Sequence, residues 1–213
     1  MKVEICGLSK TIQSCEVLHD INLVFDSGNT GKIYGLQGIN GSGKTMLMRC
    51  ICGLVVPTTG CMKIDDKVVG KDMAFPPSIG VLLENPVFID EFTGIKNLSL
   101  LCGIKKCVSK SEIQRTLVRV GLDPQDKRTF RKYSLGMKQR LGIAAAIVES
   151  PNLILLDEPF NALDEAGVSM IHDLLEELRN EKKLILLSCH DKNQMEAIAD
   201  TIIHLAEGRV VEA

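Results

Sequence analysis

The chain has 213 residues, 45% of them apolar and only 4% aromatic, with no tryptophan, which allows one domain with an aliphatic core and suits a helix-covered sheet better than a stacking surface for sugars or single strands. With 25 basic residues against 27 acidic ones the formal charge is −2, so composition gives no pull towards nucleic acid or anionic lipid. No segment approaches the ~20 apolar residues needed to cross a bilayer, and Met1-Lys2-Val3-Glu4-Ile5 lacks the apolar stretch of a secretory signal.

The first third reads as strands. Ile21, Leu23 and Phe25 alternate with Asn22 and Val24, and Asp26 to Gly31 makes a turn. Lys32 to Gln37 is a second strand, followed by a glycine-rich loop. A helix is predicted from near Gly43 to Cys52, with Gly53 as its C′ residue. After the turn Pro57-Thr58-Thr59-Gly60, short strands are expected around Cys61–Ile64 and Lys67–Val69. From about Glu84 to Ser150 the pattern is helical. Ser111 is the predicted cap of a segment with Ile113, Leu117 and Val120 on one face, and a second helix carries Leu141, Ala144, Ala145 and Val148. The last third alternates again: strand Leu153–Leu156, a helix with Ile171 and Leu175, strand Leu184–Leu187, a helix with Met195 and Ile198, and strand Thr201–Leu205. Strands alternating with helices imply a parallel sheet with right-handed crossovers. The chain reads as one domain, 1–213, with a helical subdomain at about 84–150. It ends just after its last predicted strand, so no C-terminal regulatory domain is expected.

The eight cysteines form no regular framework; Cys50 and Cys52 are too close for a zinc pattern, and Cys102 and Cys107 have no paired set nearby. They read as reduced thiols serving as small core hydrophobes.

Gly38-Ile39-Asn40-Gly41-Ser42-Gly43-Lys44-Thr45 fits G-x-x-x-x-G-K-[ST] between a strand and a helix, the context this motif requires. Its glycines let successive N–H groups point at phosphate oxygens, and the helix N-terminus adds positive potential. Lys44 is placed to bridge the β- and γ-phosphates, and the Thr45 hydroxyl to ligate Mg²⁺. Asp157 ends an apolar run that reads as a buried parallel strand; its carboxylate should emerge at the ligand-binding edge of the sheet and hold Mg²⁺. Glu158 follows, within reach of a water in line with the γ-phosphate, as a general base. His190 lies past a strand predicted to run alongside that of Asp157 and suits a donor to the γ-phosphate. His19, His172 and His204 have no such placement.

The phosphate loop, Tyr133-Ser134-Leu135-Gly136-Met137-Lys138-Gln139-Arg140, Leu155-Leu156-Asp157-Glu158-Pro159, Asn161-Ala162-Leu163-Asp164 and His190 together resemble an ABC transporter ATPase subunit, most of all exporters of the bacitracin and lantibiotic resistance type. The resemblance covers nearly the whole chain. It implies an α/β fold of the P-loop NTPase, ABC ATPase type: a mostly parallel sheet core, an N-terminal antiparallel β region and an inserted helical subdomain. It also implies Mg-dependent ATP hydrolysis, an ATP-dependent homodimer clamping two ATP molecules head to tail, and a separate transmembrane permease subunit. The resulting location is cytoplasmic, peripheral on the inner face of the membrane, with no nucleic-acid partner. Ser134 and the Gly136 backbone would then contact the γ-phosphate held by the other subunit's Lys44, and Asp164 would help join the two sites. Ser134 and Gly136 also sit at a predicted helix start, an anion-seeking position. Six basic residues and no acidic one lie between Lys127 and Arg140, a charge expected to attract a triphosphate.

The chain departs from the family pattern in several places. Leu135 stands for the usual first glycine of the Ser134 segment and Met137 for its glutamine. Glu84 replaces the glutamine that opens the helical subdomain, as a further Mg²⁺ ligand. Met46 replaces a second hydroxyl residue after Thr45. Ile12 stands where an aromatic ring stacks on adenine, which predicts weak base discrimination unless another ring, such as Phe25, substitutes. By the same resemblance, Asn85 to Phe92 lines the groove for a permease helix, with Phe88 and Phe92 as candidate anchors. A soluble ABC-type ATPase acting on DNA or ribosomes is disfavoured because the chain lacks a heptad insertion and carries one nucleotide domain. A small P-loop kinase leaves Ser134-Leu135-Gly136 and His190 unexplained. A non-hydrolysing module conflicts with Lys44, Thr45, Asp157, Glu158 and His190 all being present.

Overall fold

Two sheets organise the chain in the computed structural model, which describes residues 1–212; Ala213, the end of the predicted domain, lies outside the described residues. Strands β1 (Lys2–Ile12) and β2 (Cys15–Asp26) form an antiparallel hairpin. Its turn, Gln13-Ser14, has positive φ at both residues, as a hairpin matched to the strand twist requires. The other edge of β1 pairs with β4 (Thr59–Ile64), which pairs with β5 (Lys67–Val68), giving the order β2-β1-β4-β5. This is the expected antiparallel region, and it starts earlier than the Ile21–Phe25 alternation indicates.

The second sheet has six strands in the order β10-β9-β3-β8-β7-β6. They are β3 (Lys32–Gln37), β6 (Ile79–Leu82), β7 (Leu153–Asp157), β8 (Leu184–Ser188), β9 (Thr201–Ala206) and β10 (Arg209–Glu212). All neighbours are parallel except β9 and β10. All five residues of β7 and all five of β8 are buried, the condition under which a strand loses polar alternation. Alternate residues serve opposite faces. Ile154, Leu156, Ile185 and Leu187 join a core with the later helices. Leu153, Leu155, Leu184 and Leu186 join a second core with the antiparallel sheet. Each such side chain contributes roughly 1.5–3 kcal/mol through burial, so the sheet is held from both sides.

The helices are α1 (Lys44–Ile51), α2 (Gly94–Lys105), α3 (Lys110–Arg119), α4 (Leu135–Ile147), α5 (Glu165–Asn180) and α6 (Lys192–Ile198). Between β6 and β7, α2 packs on α3 and α4, and α4 packs on β6. Three expectations need correction here. Residues 84–93 form an extended loop rather than the start of a helix. The cap of α3 is Ser109, not Ser111: Ser109 Oγ accepts the Glu112 N–H while the Glu112 carboxylate accepts the Ser109 N–H, a reciprocal pair that Ser111 cannot form. The thiols also divide: Cys50, Cys52, Cys102 and Cys189 are buried, but Cys6, Cys15 and Cys107 are exposed, and all eight are free.

Phe88 is partly buried, packing edge-on against Phe130 of the helical layer's core with centroids 5.3 Å apart, rather than lying free in an open groove. Its neighbours Val87 and Ile89 are the exposed apolar residues of that loop. Among the described residues no helix is long and apolar enough to cross a membrane.

Candidate nucleotide-binding site

Strands β3, β8 and β7 lie side by side and end at the same edge of the sheet. From β3 the chain enters the phosphate loop; β7 delivers Asp157 and Glu158; β8, between them, delivers Ser188 and His190. A cavity of about 460 Å³ opens there, lined by Asn40, Gly41, Gly43, Lys44, Thr45 and Met46 of the loop and helix start, and by Glu84, Asp157, Glu158 and His190.

The loop's shape depends on its glycines. Gly41 and Gly43 have φ of +80° and +106°, left-handed values that glycine tolerates without strain. A Cβ on Gly38 would lie 2.3 Å from the Leu205 carbonyl oxygen. Ser42 is buried behind the loop, its Oγ without a partner, and Ile39 is exposed. So Gly38, Ile39 and Ser42 shape the loop without lining the cavity.

Lys44 Nζ donates to the carbonyls of Gly38 at 2.6 Å and Ile39 at 3.1 Å. Burial lowers its pKa, against the pull of Glu158 and Asp157; an anionic oxygen in the cavity would relieve that desolvation. Thr45 Oγ1 donates to Asp157 Oδ2 at 2.7 Å. A hydroxyl and a carboxylate oxygen so close are a hard-oxygen pair that fits Mg²⁺, which keeps waters and phosphate oxygens as its other ligands. Glu84 lines the same cavity, but its carboxylate is held by Arg49 of α1.

Glu158 is joined to His190 twice. His190 Nε2 is 3.2 Å from Glu158 Oε1, and the His190 N–H donates to Oε2 at 3.3 Å. Burial pushes the Glu158 carboxyl above its ordinary value, with His190 opposing. A carboxylate whose proton affinity is raised by burial is a better proton acceptor than a solvated one.

The Ser134 segment lies elsewhere. Ser134, Gly136 and Asp164 line a separate open groove of about 450 Å³. Ser134 caps α4, its Oγ accepting the Met137 N–H at 3.2 Å, and Asp164 caps α5, its Oδ1 accepting the Gly167 N–H at 2.9 Å. Gly136 is confined, since a Cβ there would sit 2.8 Å from the Ala162 carbonyl. The structure thus brings these three together and apart from the Lys44 cavity. The basic cluster is weaker than its sequence suggests. Arg128 pairs with Asp126 at 2.8 Å, Arg131 with Glu91 at 3.0 Å, and Arg140 Nη1 donates to the Gly121 carbonyl at 3.1 Å.

Sequence reasoning missed Ser188, Gln139, Asn161, Asn85 and Val17. Ser188 is detectable as a lone hydroxyl closing an apolar strand, and Gln139 and Asn161 lie within two segments that carry the family resemblance; Asn85 and Val17 carry no local signal. Val17 forms the cavity wall, while Ile12 stands 40% exposed at the end of β1. Phe25 cannot serve as a stacking ring, because it is fully buried against Tyr34, edge-on with centroids 5.1 Å apart.

The family model described as "ABC transporter" matches residues 18–161. The chain is 41% identical over 208 residues to the ABC transporter ATP-binding protein YybJ of Bacillus subtilis, covering 98% of this chain and 94% of that protein. It is 40% identical over 212 residues to the bacitracin transport ATP-binding protein BcrA of Enterococcus faecalis, covering 99% of this chain and 68% of that one. Among solved structures, a dimeric ATP-binding cassette in a post-hydrolysis state bound to ADP and Pi aligns with a TM-score of 0.88 at 25% identity, covering 99% of this chain and 97% of that one.

Proposed function

From the premise that the chain belongs to the ABC transporter ATPase family, we propose that two copies clamp two ATP molecules head to tail and drive export through a separate transmembrane permease. The observation that carries this reading is that the Lys44 cavity and the Ser134 groove are separate on one chain. In the clamp, each nucleotide lies between the Lys44 cavity of one copy and the Ser134, Gly136 and Asp164 groove of the other. Lys44 and the loop N–H groups hold the β- and γ-phosphates, and Glu158 accepts the proton of the attacking water on its carboxylate. His190 fixes that carboxylate and donates to the γ-phosphate. Thr45 and Asp157 would hold Mg²⁺, with Glu84 as a further ligand if freed from Arg49, and the ion would supply charge neutralisation at the phosphates. Met46 offers only apolar contact beside Thr45.

The bacitracin transport relative supports export as the direction. Exposed Val87, Ile89 and Ile104 supply an apolar surface for the permease, which would place the subunit on the inner face of the membrane. The test is Glu158→Gln in the purified protein. Hydrolysis should fall by ~10²–10⁴-fold, the usual contribution of a general base, while Mg-ATP binding persists and the trapped nucleotide drives dimerisation by mass action. Sedimentation showing a dimer without ATP, or none at saturating Mg-ATP, contradicts the reading.

A further inference from the structure

Glu158 has a main-chain conformation that its own side chain does not favour. Its φ is +52°, in the left-handed region where residues other than glycine are uncommon and persist only when their surroundings hold them. Two buried side chains do so from opposite sides. The Glu158 N–H donates to Ser188 Oγ at 3.0 Å, and its carbonyl accepts Gln139 Nε2 at 2.9 Å. Ser188 is fully buried and Gln139 is 6% exposed. The single Ser188 proton goes to Asp157 Oδ1, with Glu158 Oε1 next nearest at 3.5 Å.

Neither residue is required by the sheet or the helix that carries it. The four residues before Ser188 in β8 are all aliphatic and buried, so valine would suit the strand; a buried hydroxyl is tolerated only because its hydrogen bonds are made. Those bonds go to Asp157 and Glu158, which line the cavity. Gln139 lies on α4, the helix capped by Ser134, and sends its amide away from its own helix to the far end of β7. We propose that Ser188 and Gln139 are positioning residues that hold the left-handed peptide of Glu158 and so aim its carboxylate, with Gln139 tying that peptide to the helix that presents Ser134 to the second copy. The inference rests on the reading of Glu158 as the proton acceptor. A displacement of about 1 Å at such a group costs about 10²-fold in rate, and loosening either bond permits one.

The experiment compares Ser188→Val, Ser188→Thr, Gln139→Leu and Glu158→Gln with the wild-type protein. It measures steady-state ATP hydrolysis, equilibrium binding of Mg-ATP and the thermal midpoint. Ser188→Val and Gln139→Leu should each lower kcat by ~10–100-fold, leaving KM and nucleotide affinity close to wild type, while the midpoint falls only by the few degrees that a lost buried hydrogen bond costs. Ser188→Thr, which restores the hydroxyl, should recover most of kcat. If Ser188→Val fails to fold, Ser188→Ala takes its place. The inference is overturned if kcat is unchanged in both Ser188→Val and Gln139→Leu, if threonine fails to rescue, or if nucleotide binding falls in step with kcat. Hydrolysis surviving in Glu158→Gln overturns instead the role of Glu158 on which the inference stands.

Discussion

The Lys44 cavity and the Ser134 groove are both built from helix N-termini and short polar side chains, yet one is braced and the other is bare. Around the cavity, Thr45 is bonded to Asp157, Asp157 to Ser188, and Glu158 to Ser188, Gln139 and His190. Three strand ends and a helix converge there. In the groove, Ser134 and Asp164 each make one capping bond within their own segment, and Leu135 is 73% exposed. A braced site is organised to bind by itself, whereas a shallow groove of caps gains its ligand only when another surface brings one. The difference predicts that lesions in the two regions separate binding from assembly.

The largest effects come from breaking each half. Lys44→Ala removes the only lysine of the loop and should abolish hydrolysis and weaken Mg-ATP binding by ~10²-fold or more, by loss of charge-assisted bonds to phosphate. Ser134→Asp keeps a good helix cap but sets a negative charge where the proposed clamp brings a triphosphate. Its monomer should bind Mg-ATP as the wild type does, yet fail to dimerise and to hydrolyse. Titration and sedimentation on the two variants decide the matter; equal loss of monomer binding would erase the distinction between the regions.

Exposed apolar residues outside both sites sharpen the comparison further. Val87 is 88% exposed and Ile104 80% exposed, and neither belongs to the cavity or the groove. Val87→Asp and Ile104→Asp should leave the ATPase rate of the isolated subunit within about twofold, as expected for surface substitutions. Assembly with the proposed permease should drop about tenfold or more, the scale of a lost apolar contact in an interface. Co-purification with the membrane subunit measures it, and unimpaired assembly of both variants places the joint elsewhere.

How much of this was legible in the sequence follows the same division. The apolar runs ending in Asp157 and Ser188 betrayed buried parallel strands, and the loop from Gly38 to Thr45 carried its chemistry in its spacing. The β1 strand was obscured because its pairing with β2 shifts register after Ile5, Leu8 and Lys10, which breaks period-two alternation. Ser111 is an equally good capping residue, and only the reciprocal bond from Glu112 selects Ser109. The basic run up to Arg140 looked unopposed because partners such as Glu91 lie 40 residues away in sequence. Phe88 has the sequence features of an anchor because nothing local marks Phe130 as its neighbour. The role of Ser188 required knowing that β8 lies between β3 and β7, a long-range fact that no local pattern holds.

A smaller effect concerns the base. With Val17 as the cavity wall and no ring at Ile12, ATP and GTP should bind within about tenfold of each other. Ile12→Tyr should tighten ATP by about 1–3 kcal/mol if the ring reaches the base, the usual worth of base–aromatic stacking. Competition binding with a preference for ATP beyond ~100-fold in the unaltered protein counts against this account.

The smallest expected effect tests how dry the braced side is. Cys189 lies between Ser188 and His190, is 3% exposed, and has its thiol pushed up to about 11 by burial. An unfolded thiol loses its proton near 9.0, so the folded state keeps a proton that the unfolded state releases. The stability tied to that neutral thiol is complete below pH 9 and is lost as pH rises towards 11. Cys189→Ala removes that contribution. Between pH 7.5 and pH 10.5, about the span over which such a thiol titrates, the variant's melting temperature should fall by roughly 2–4 °C less than the wild type's, the shift that about 1 kcal/mol makes in a domain of this size. The comparison is of the two pH-dependent changes, so packing lost with the sulfur cancels. Equal falls would mean that water reaches the thiol and that the catalytic edge is less closed than its hydrogen bonds imply.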